Sequence, residues 1–330
     1  MNILIVKTSS MGDIIHCLPI IADILVHVPT ANIDWLVEEG FADIVTLHPK
    51  VRKVIPVAVR RWRKHLFSWA TWLEFSTFKR QLKNQRYDVI LDAQSLLKSA
   101  LLATLATGSR HGQNFRCARE PLAALFYHRT YMVTRQQHAL EQNRALAAQV
   151  FAYNNPTSAP DYGLSLTHDI ALAPLPENFV MAFHATSRDS KLWPNCHWIN
   201  LGQQLHKQGF TLVLPWANAS ELTRAETIAA RVAEAIVLPK SNLATLAQIT
   251  AKAQAAIGVD TGLMHLAVAL NIPTIALYTD TFPALNGAYA GNHSMAINLG
   301  GKGVVPSVDE VLKSVARFTS PQAFAKNNPL

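Results

Sequence analysis

Apolar and polar positions along this chain fall into short blocks of alternating character. Asn2 to Lys7 is a β-favouring apolar run, followed by a turn and then a helical pattern from about Asp13 to Val28. Ile33 to Glu38, Val54 to Val57 and Asp88 to Ala93 read as further strands, separated by helix-length segments. That spacing predicts parallel βαβ units rather than hairpins. Tyr153 to Asp161 (Tyr-Asn-Asn-Pro-Thr-Ser-Ala-Pro-Asp) is rich in chain breakers and predicts an inter-domain linker. A second series follows, with strands at Phe179 to Ala185, Thr211 to Pro215, Ile236 to Leu238, Ala256 to Val259 and Thr274 to Tyr278. Helical patterns lie between them, notably Glu221 to Ala235 and Leu243 to Ala253, and a closing helix covers Val308 to Phe318. The expectation is an α/β protein of two Rossmann-like, doubly wound domains, residues 1–155 and 156–330. The last helix is a candidate to pack back on the first domain. Ligands of such domains sit at strand carboxyl ends, here in a cleft between the two.

Length and composition agree with this division. A chain of 330 residues, 49% hydrophobic and 16% charged, can fill two cores of ordinary size. The longest apolar run, Ile14 to Val28, is interrupted by His16, Pro19, Asp23 and His27, so no membrane span is expected. The N-terminus has no basic leader and reads as a strand. Cys17, Cys117 and Cys196 are odd in number and widely spaced, which argues against a disulfide framework or a zinc site and suits a reducing cytoplasm.

Charge divides the chain unevenly. Residues 1–150 carry 19 Lys and Arg against 11 Asp and Glu, whereas residues 151–330 carry 11 of each. Lys50 to Arg86 alone sets eleven basic residues against one acid, Glu74. Such a segment predicts an anionic partner: nucleic acid, a membrane surface or an acidic small substrate.

Three loops gather chemistry. Lys7-Thr8-Ser9-Ser10-Met11-Gly12-Asp13 links the first strand to the first helix, where Asp13 is either a helix cap or a general base. A helix N-terminus stabilises the carboxylate and weakens it as a base; partial burial acts the other way. The loop is neither G-x-G-x-x-G nor a P-loop. His184-Ala185-Thr186-Ser187-Arg188-Asp189-Ser190-Lys191-Leu192-Trp193-Pro194 follows the first strand of the second series. Its hydroxyls and cations suit a diphosphate or, on the plainer reading, form a solvated loop. Gly258-Val259-Asp260-Thr261-Gly262-Leu263-Met264-His265 runs from strand into helix, either an anion site on the first-turn amides or a simple cap, with His265 one turn in or packed. Separately, Arg60-Arg61-Trp62-Arg63-Lys64 precedes Trp69, Trp72, Phe75 and Phe78. That pattern fits single-stranded nucleic acid, an anionic membrane surface, or an amphipathic helix with a solvated charged side.

Together, Ile3-Leu-Ile-Val-Lys-Thr-Ser-Ser-Met-Gly-Asp, Trp35-Leu-Val-Glu-Glu-Gly-Phe, Ile55-Pro-Val-Ala-Val-Arg-Arg-Trp-Arg-Lys and Val259-Asp-Thr-Gly-Leu-Met-His-Leu closely resemble glycosyltransferase family 9 over nearly the whole chain. The Arg-Arg-Trp-Arg-Lys and His-Ala-Thr-Ser-Arg-Asp-x-Lys-x-Trp-Pro segments favour the branch that adds the first heptose of the lipopolysaccharide core. The alternative is a family member adding the second heptose or another core sugar. The resemblance implies a GT-B fold and inverting transfer of L-glycero-D-manno-heptose from ADP-heptose (ADP-L-glycero-beta-D-manno-heptose) to the Kdo of Kdo-lipid A, with no cofactor or metal. It makes Asp13 the base that deprotonates the Kdo hydroxyl. It assigns Thr186, Ser187 and Lys191 to the donor diphosphate and ribose, Glu221 to the ribose, Asp260 to the heptose, and Thr261, Gly262 and His265 to the rest of the pocket. Arg60, Arg61, Arg63, Lys64 and Arg119 would meet the acceptor's carboxylates and phosphates. It further implies a cytoplasmic monomer held peripherally on the inner membrane's anionic surface, with no nucleic-acid partner. Two positions depart from the family pattern: Ser187 replaces a second threonine, keeping the hydroxyl, and Ser241 stands where a methionine usually packs on adenine.

Overall fold

The computed structural model describes residues 1–65, 67–166 and 174–319. The chain divides into two compact units, Met1–Ser165 and Leu166–Leu330. The N-terminal unit contains strands β1 (Asn2–Val6), β2 (Asn32–Glu38), β3 (Val51–Val57), β4 (Arg86–Asp92), β5 (Thr107–Gln113) and β6 (Arg129–Tyr131). They pair in parallel in the order β3-β2-β1-β4-β5-β6. The C-terminal unit contains β7 (Phe179–Phe183), β8 (Thr211–Leu214), β9 (Ile236–Val237), β10 (Ala255–Val259), β11 (Thr274–Tyr278) and β12 (Ala296–Gly300), again parallel, in the order β9-β8-β7-β10-β11-β12. Each sheet is thus doubly wound, and its strand order reverses between β1 and β4 or between β7 and β10.

The central strands have the composition this layering demands. Helices cover both faces of a parallel sheet, so its inner strands read as continuous apolar runs. Ile3, Leu4, Ile5 and Val6 of β1 are all fully buried, as is every residue of β7 and β10. Gly258 in β10 is required by close approach: a Cβ there would lie 3.0 Å from the Cβ atoms of both Met264 and Phe183.

Several expectations are corrected. The helix expected over Asp13 to Val28 is two, Met11–Ile15 and Pro19–His27. Pro19 has no N–H to continue the first helix and instead opens the second. Residues beyond 155 belong to the N-terminal unit: Arg144, paired bidentately with Asp23, donates to the Ser158 carbonyl, and the Ser165 N–H donates to the Leu47 carbonyl at 2.9 Å. Gly163, at φ +63°, packs so closely on His48 that a Cβ would meet its Nε2. The described residues of the closing helix are Val308–Thr319. Val311, Val315 and Phe318 are buried in the C-terminal core with Trp198, Leu201 and Leu205. Among the described residues no helix is long and apolar enough to cross a membrane.

Candidate active site

Both places where strand order reverses carry a polar cluster, and the two are described in turn. In the N-terminal unit, Val6 of β1 lies opposite Asp92 of β4. Just past these strand ends Lys7 is buried and its Nζ donates to the Ala93 carbonyl at 2.7 Å. Gln94 clasps the loop that follows β1: its Oε1 accepts from the Thr8 N–H at 2.6 Å and the Thr8 hydroxyl at 2.7 Å, and its Nε2 donates to the Ser9 carbonyl at 2.7 Å. Lys98, on helix Leu97–Ala103, donates from Nζ to Ser9 Oγ at 3.0 Å. Burial, then the charge of Arg60, pushes the Lys98 ammonium below its ordinary pKa. Asp92 anchors the other side, accepting from the Gln94 and Ser95 N–H groups and from the Tyr127 hydroxyl.

Asp13 is the third residue of helix Met11–Ile15, next to this clasp. Its Oδ2 accepts from the Ser10 N–H at 3.0 Å and the Ser10 hydroxyl at 2.9 Å, so the N-cap is Ser10 and Asp13 is its N3 partner in a capping box rather than the cap itself. It also faces Arg119, whose Nη1 is 3.6 Å away. Burial raises the carboxyl pKa, but Lys7, Arg119 and the two Ser10 hydrogen bonds outweigh it and hold Asp13 below the usual carboxylate range. The group is therefore held as a carboxylate, and the same interactions that hold it there lower its basicity.

The basic segment is less naked than its sequence suggests. Arg61 makes four hydrogen bonds, two to Glu39 and two to Glu74, so nearly all its donors are committed to holding the turn of helix Val59–Trp62 against helix Trp69–Lys83. Arg52 pairs bidentately with buried Asp34, which also accepts from the Tyr87 hydroxyl. Arg60, Arg63 and Lys64 are exposed and form no ion pair with another described residue, though Arg60 stacks its guanidinium over Phe41. The structure thus places Arg119 beside Asp13 and Arg60 and Arg63 in the field of Lys98, while Arg61 is tied down. Helix Trp69–Lys83 buries Phe78 and Leu82 but leaves Trp69 82% and Trp72 58% exposed, continuous in sequence with exposed Phe67 and Leu73.

In the C-terminal unit the first residues past β7 and β10 meet. Thr186 Oγ1 donates to the Asp260 carbonyl at 2.9 Å, and Lys191 Nζ donates to Asp260 Oδ2 at 2.7 Å. The side chains of Lys191 and Asp260 are only 18% and 14% exposed. Thr281, after β11, donates to the same carboxylate oxygen at 2.9 Å. The Lys191 turn is braced by Ser190 Oγ donating to Asp280 Oδ2 at 2.6 Å and by Thr279 Oγ1 donating to the Ser190 carbonyl at 2.8 Å. Trp193, fully buried, pins the end of the loop by donating from Nε1 to the Pro306 carbonyl.

Thr261 caps helix Gly262–Ala269 in extended backbone geometry, and its side chain makes no capping bond. The first amides of that helix begin one residue from the Lys191–Asp260 pair, so a cation and a helix N-terminus converge. Ser187 is exposed and His265 is buried. Glu221 lies in the first turn of helix Ala219–Ala229, accepting from the Ala217 N–H and the Asn218 side-chain amide. Ser241 is half-buried and turns its hydroxyl onto the Pro239 carbonyl, 2.8 Å away. His184 is buried, bonded through Nε2 to the Pro215 carbonyl, and burial pushes its pKa down to about 4.

Gln94, Lys98 and Thr281 were not anticipated from sequence. Each follows or flanks a strand that becomes its partner's neighbour only through sheet order, so the missing signal was topology rather than composition.

The family model of Glycosyltransferase family 9 (heptosyltransferase) matches residues 75–309. Lipopolysaccharide heptosyltransferase 1 of Escherichia coli (strain K12) is 44% identical over 293 residues, covering 88% of this chain and 92% of that protein. The structure of E. coli heptosyltransferase WaaC with ADP superposes with a TM-score of 0.88 at 41% identity, covering 97% of this chain and all of that one. The same enzyme with ADP-2-deoxy-2-fluoro heptose superposes at 0.84 and 40% identity, covering 96% and 99%. The fold is accordingly GT-B, built from two Rossmann-like units.

Proposed function

The chain belongs to glycosyltransferase family 9, with heptose transfer in lipopolysaccharide core synthesis as its activity, and from that premise we propose the donor, acceptor and division of labour between its two units. The donor is ADP-heptose, held by the C-terminal unit. The acceptor is the Kdo of Kdo-lipid A, activated by the N-terminal unit. In a single inverting displacement the acceptor hydroxyl attacks the anomeric carbon, Asp13 takes its proton, and the carbon–oxygen bond to ADP breaks with its electron pair passing to the diphosphate.

The observation that carries this reading is the Lys191–Asp260 pair at 2.7 Å beside the start of helix Gly262–Ala269. On binding, the donor diphosphate takes the Lys191 ammonium and the helix amides as preorganised donors for the leaving charge, the role a metal fills in other transferases. Asp260, freed of part of its partner, turns to a heptose hydroxyl. Thr186 and Ser187 supply hydroxyls to the phosphates and ribose, Glu221 exchanges its Asn218 contact for a ribose hydroxyl, and Thr261, Gly262 and His265 form the wall. Arg60, Arg63, Lys64 and Arg119 meet the acceptor's anionic groups, while Arg61 positions them. The basic unit docks peripherally on an anionic membrane face.

The test is incubation of the protein with ADP-heptose and Kdo-lipid A in detergent with a chelator present, followed by mass spectrometry of the lipid. A gain of one heptosyl residue is expected. Transfer only to an acceptor already carrying heptose would move the reading to the second addition, and loss of transfer on chelation would contradict metal independence.

A further inference from the structure

A groove of about 440 Å³ opens between helix Trp69–Lys83 and helix Leu97–Ala103 with the turn after it. Its walls are almost wholly carbon, led by Trp72, Phe75, Leu101 and Leu105. Among the described residues the charged groups lining it are Arg63 and Lys98, both cations, with no acid. One of the two, Lys98, donates from Nζ to Ser9 Oγ in the loop that leads to Asp13. The apolar channel therefore ends, through a cation, at the loop assigned to acceptor activation. Two of its wall residues, Trp72 and Leu101, are themselves 58% and 46% exposed, and Trp69, one turn before Trp72 on the same helix, is 82% exposed. Soluble surfaces rarely leave such a patch contiguous without a ligand.

We propose that this groove holds one acyl chain of the acceptor lipid, with Arg63 and Lys98 meeting the anionic groups that join the chain to the sugar. The proposal rests on the acceptor being an anionic glycolipid, and it adds a subsite that reads the lipid rather than the sugar. Charge complementarity selects the occupant: an apolar channel with a purely cationic rim fits an acyl chain tethered to phosphate or carboxylate, whereas a neutral apolar peptide would leave both cations unmatched. The groove's first effect is to keep the chain out of water as it leaves the bilayer or micelle, where exposure would cost about fourfold in affinity for each methylene. Its second effect is to fix the sugar end near Ser9 and Asp13.

The experiment uses the full chain and Leu101→Asp, which puts a carboxylate on a partly exposed groove wall without opening the core. Acylated Kdo-lipid A and the same acceptor stripped of acyl chains are compared in steady-state kinetics. The variant is expected to raise KM for the acylated acceptor by about tenfold or more, to leave KM for ADP-heptose and for the deacylated acceptor within about twofold, and to be rescued by Leu101→Met. Equal loss on both acceptors would overturn the proposal. So would release of the variant from anionic vesicles lacking acceptor as severe as its loss on the acylated acceptor, since the groove would then serve bulk lipid. A second readout needs no turnover: a lipid A analogue with a photoreactive acyl chain should label peptides containing Trp72, Leu101 or Leu105, and labelling elsewhere would refute the groove. If the wild-type protein transfers heptose to neither acceptor, the acceptor reading fails, and the labelling still decides whether the groove takes an acyl chain.

Discussion

Lys191→Ala tests the donor site at its strongest point. Lys191 donates to Asp260 at 2.7 Å, and both side chains are more than four-fifths buried, so the pair is shielded from full solvent screening. In the proposed donor complex, truncation removes a charge-assisted hydrogen bond to the diphosphate, about 2 kcal/mol. It also leaves Asp260 uncompensated: two negative charges roughly 6–8 Å apart at an effective dielectric near 20 repel by about 2–3 kcal/mol. Calorimetric titration with ADP should therefore show a Kd raised by about 10³-fold, since each 1.4 kcal/mol is a factor of ten. The double variant Lys191→Ala/Asp260→Asn keeps the Thr281 hydrogen bond but removes the repulsion, and should recover about 30-fold of that loss. Adenosine, which lacks the diphosphate, should bind the wild type and the single variant within about twofold. The reasoning is refuted if Lys191→Ala binds ADP within about threefold of wild type, or if adenosine binding falls as far as ADP binding.

Other consequences follow from the same contacts. Arg119→Gln removes one of the two cations that stabilise the Asp13 carboxylate, so the Asp13 pKa rises and the acidic limb of kcat against pH should move upward; an unmoved limb would separate Asp13 from the proton transfer. His184 and His48 are buried with pKa values pushed down to about 4, so the unfolded chain binds more protons between about pH 6.5 and pH 4. Stability should therefore fall as pH drops through that window, by roughly 3 kcal/mol per histidine at pH 4. Denaturant titration of His184→Gln should show about half of that slope, and an unchanged slope would contradict the assignment. Binding to anionic vesicles should weaken steeply between low salt and 0.5 M salt, where exposed charges are screened, and salt-insensitive or absent binding would contradict peripheral docking through the basic unit.

How much of this was legible in the sequence depended on how local each signal was. Strands β1, β2, β4, β7, β8, β10 and β11 announce themselves as apolar runs because both their faces are covered. β5 does not, because Thr-Gly-Ser-Arg-His-Gly-Gln has no apolar pattern and is recruited by backbone pairing with β4. β12, Ala-Ile-Asn-Leu-Gly, is an edge strand on β11 and equally quiet. The same distinction governs the site. Asp13, Lys191 and Asp260 were visible because each stands at a strand-to-helix junction within its own segment. Gln94, which clasps Thr8 and Ser9 across 85 or more residues, and Thr281, which shares the Asp260 oxygen with Lys191, depend on which strands become neighbours. The charge of the basic segment was legible, but its partial neutralisation was not, since Glu39 and Asp34 reach it from β2 and its following turn. The acyl groove was hidden for a related reason: helix Trp69–Lys83 carried the aromatics, but its opposite wall comes from a helix beyond β4.

The central claim is that proton transfer belongs to the loop past β1 and donor retention to the loops past β7 and β10. Asp13→Asn tests it most directly, with heptose transfer followed by acceptor mass and ADP affinity measured by calorimetry on the same preparation. The account predicts transfer reduced by about 10²–10⁴-fold with the ADP Kd within about twofold of wild type. Transfer retained at near wild-type rate, or ADP binding lost together with it, would contradict the claim.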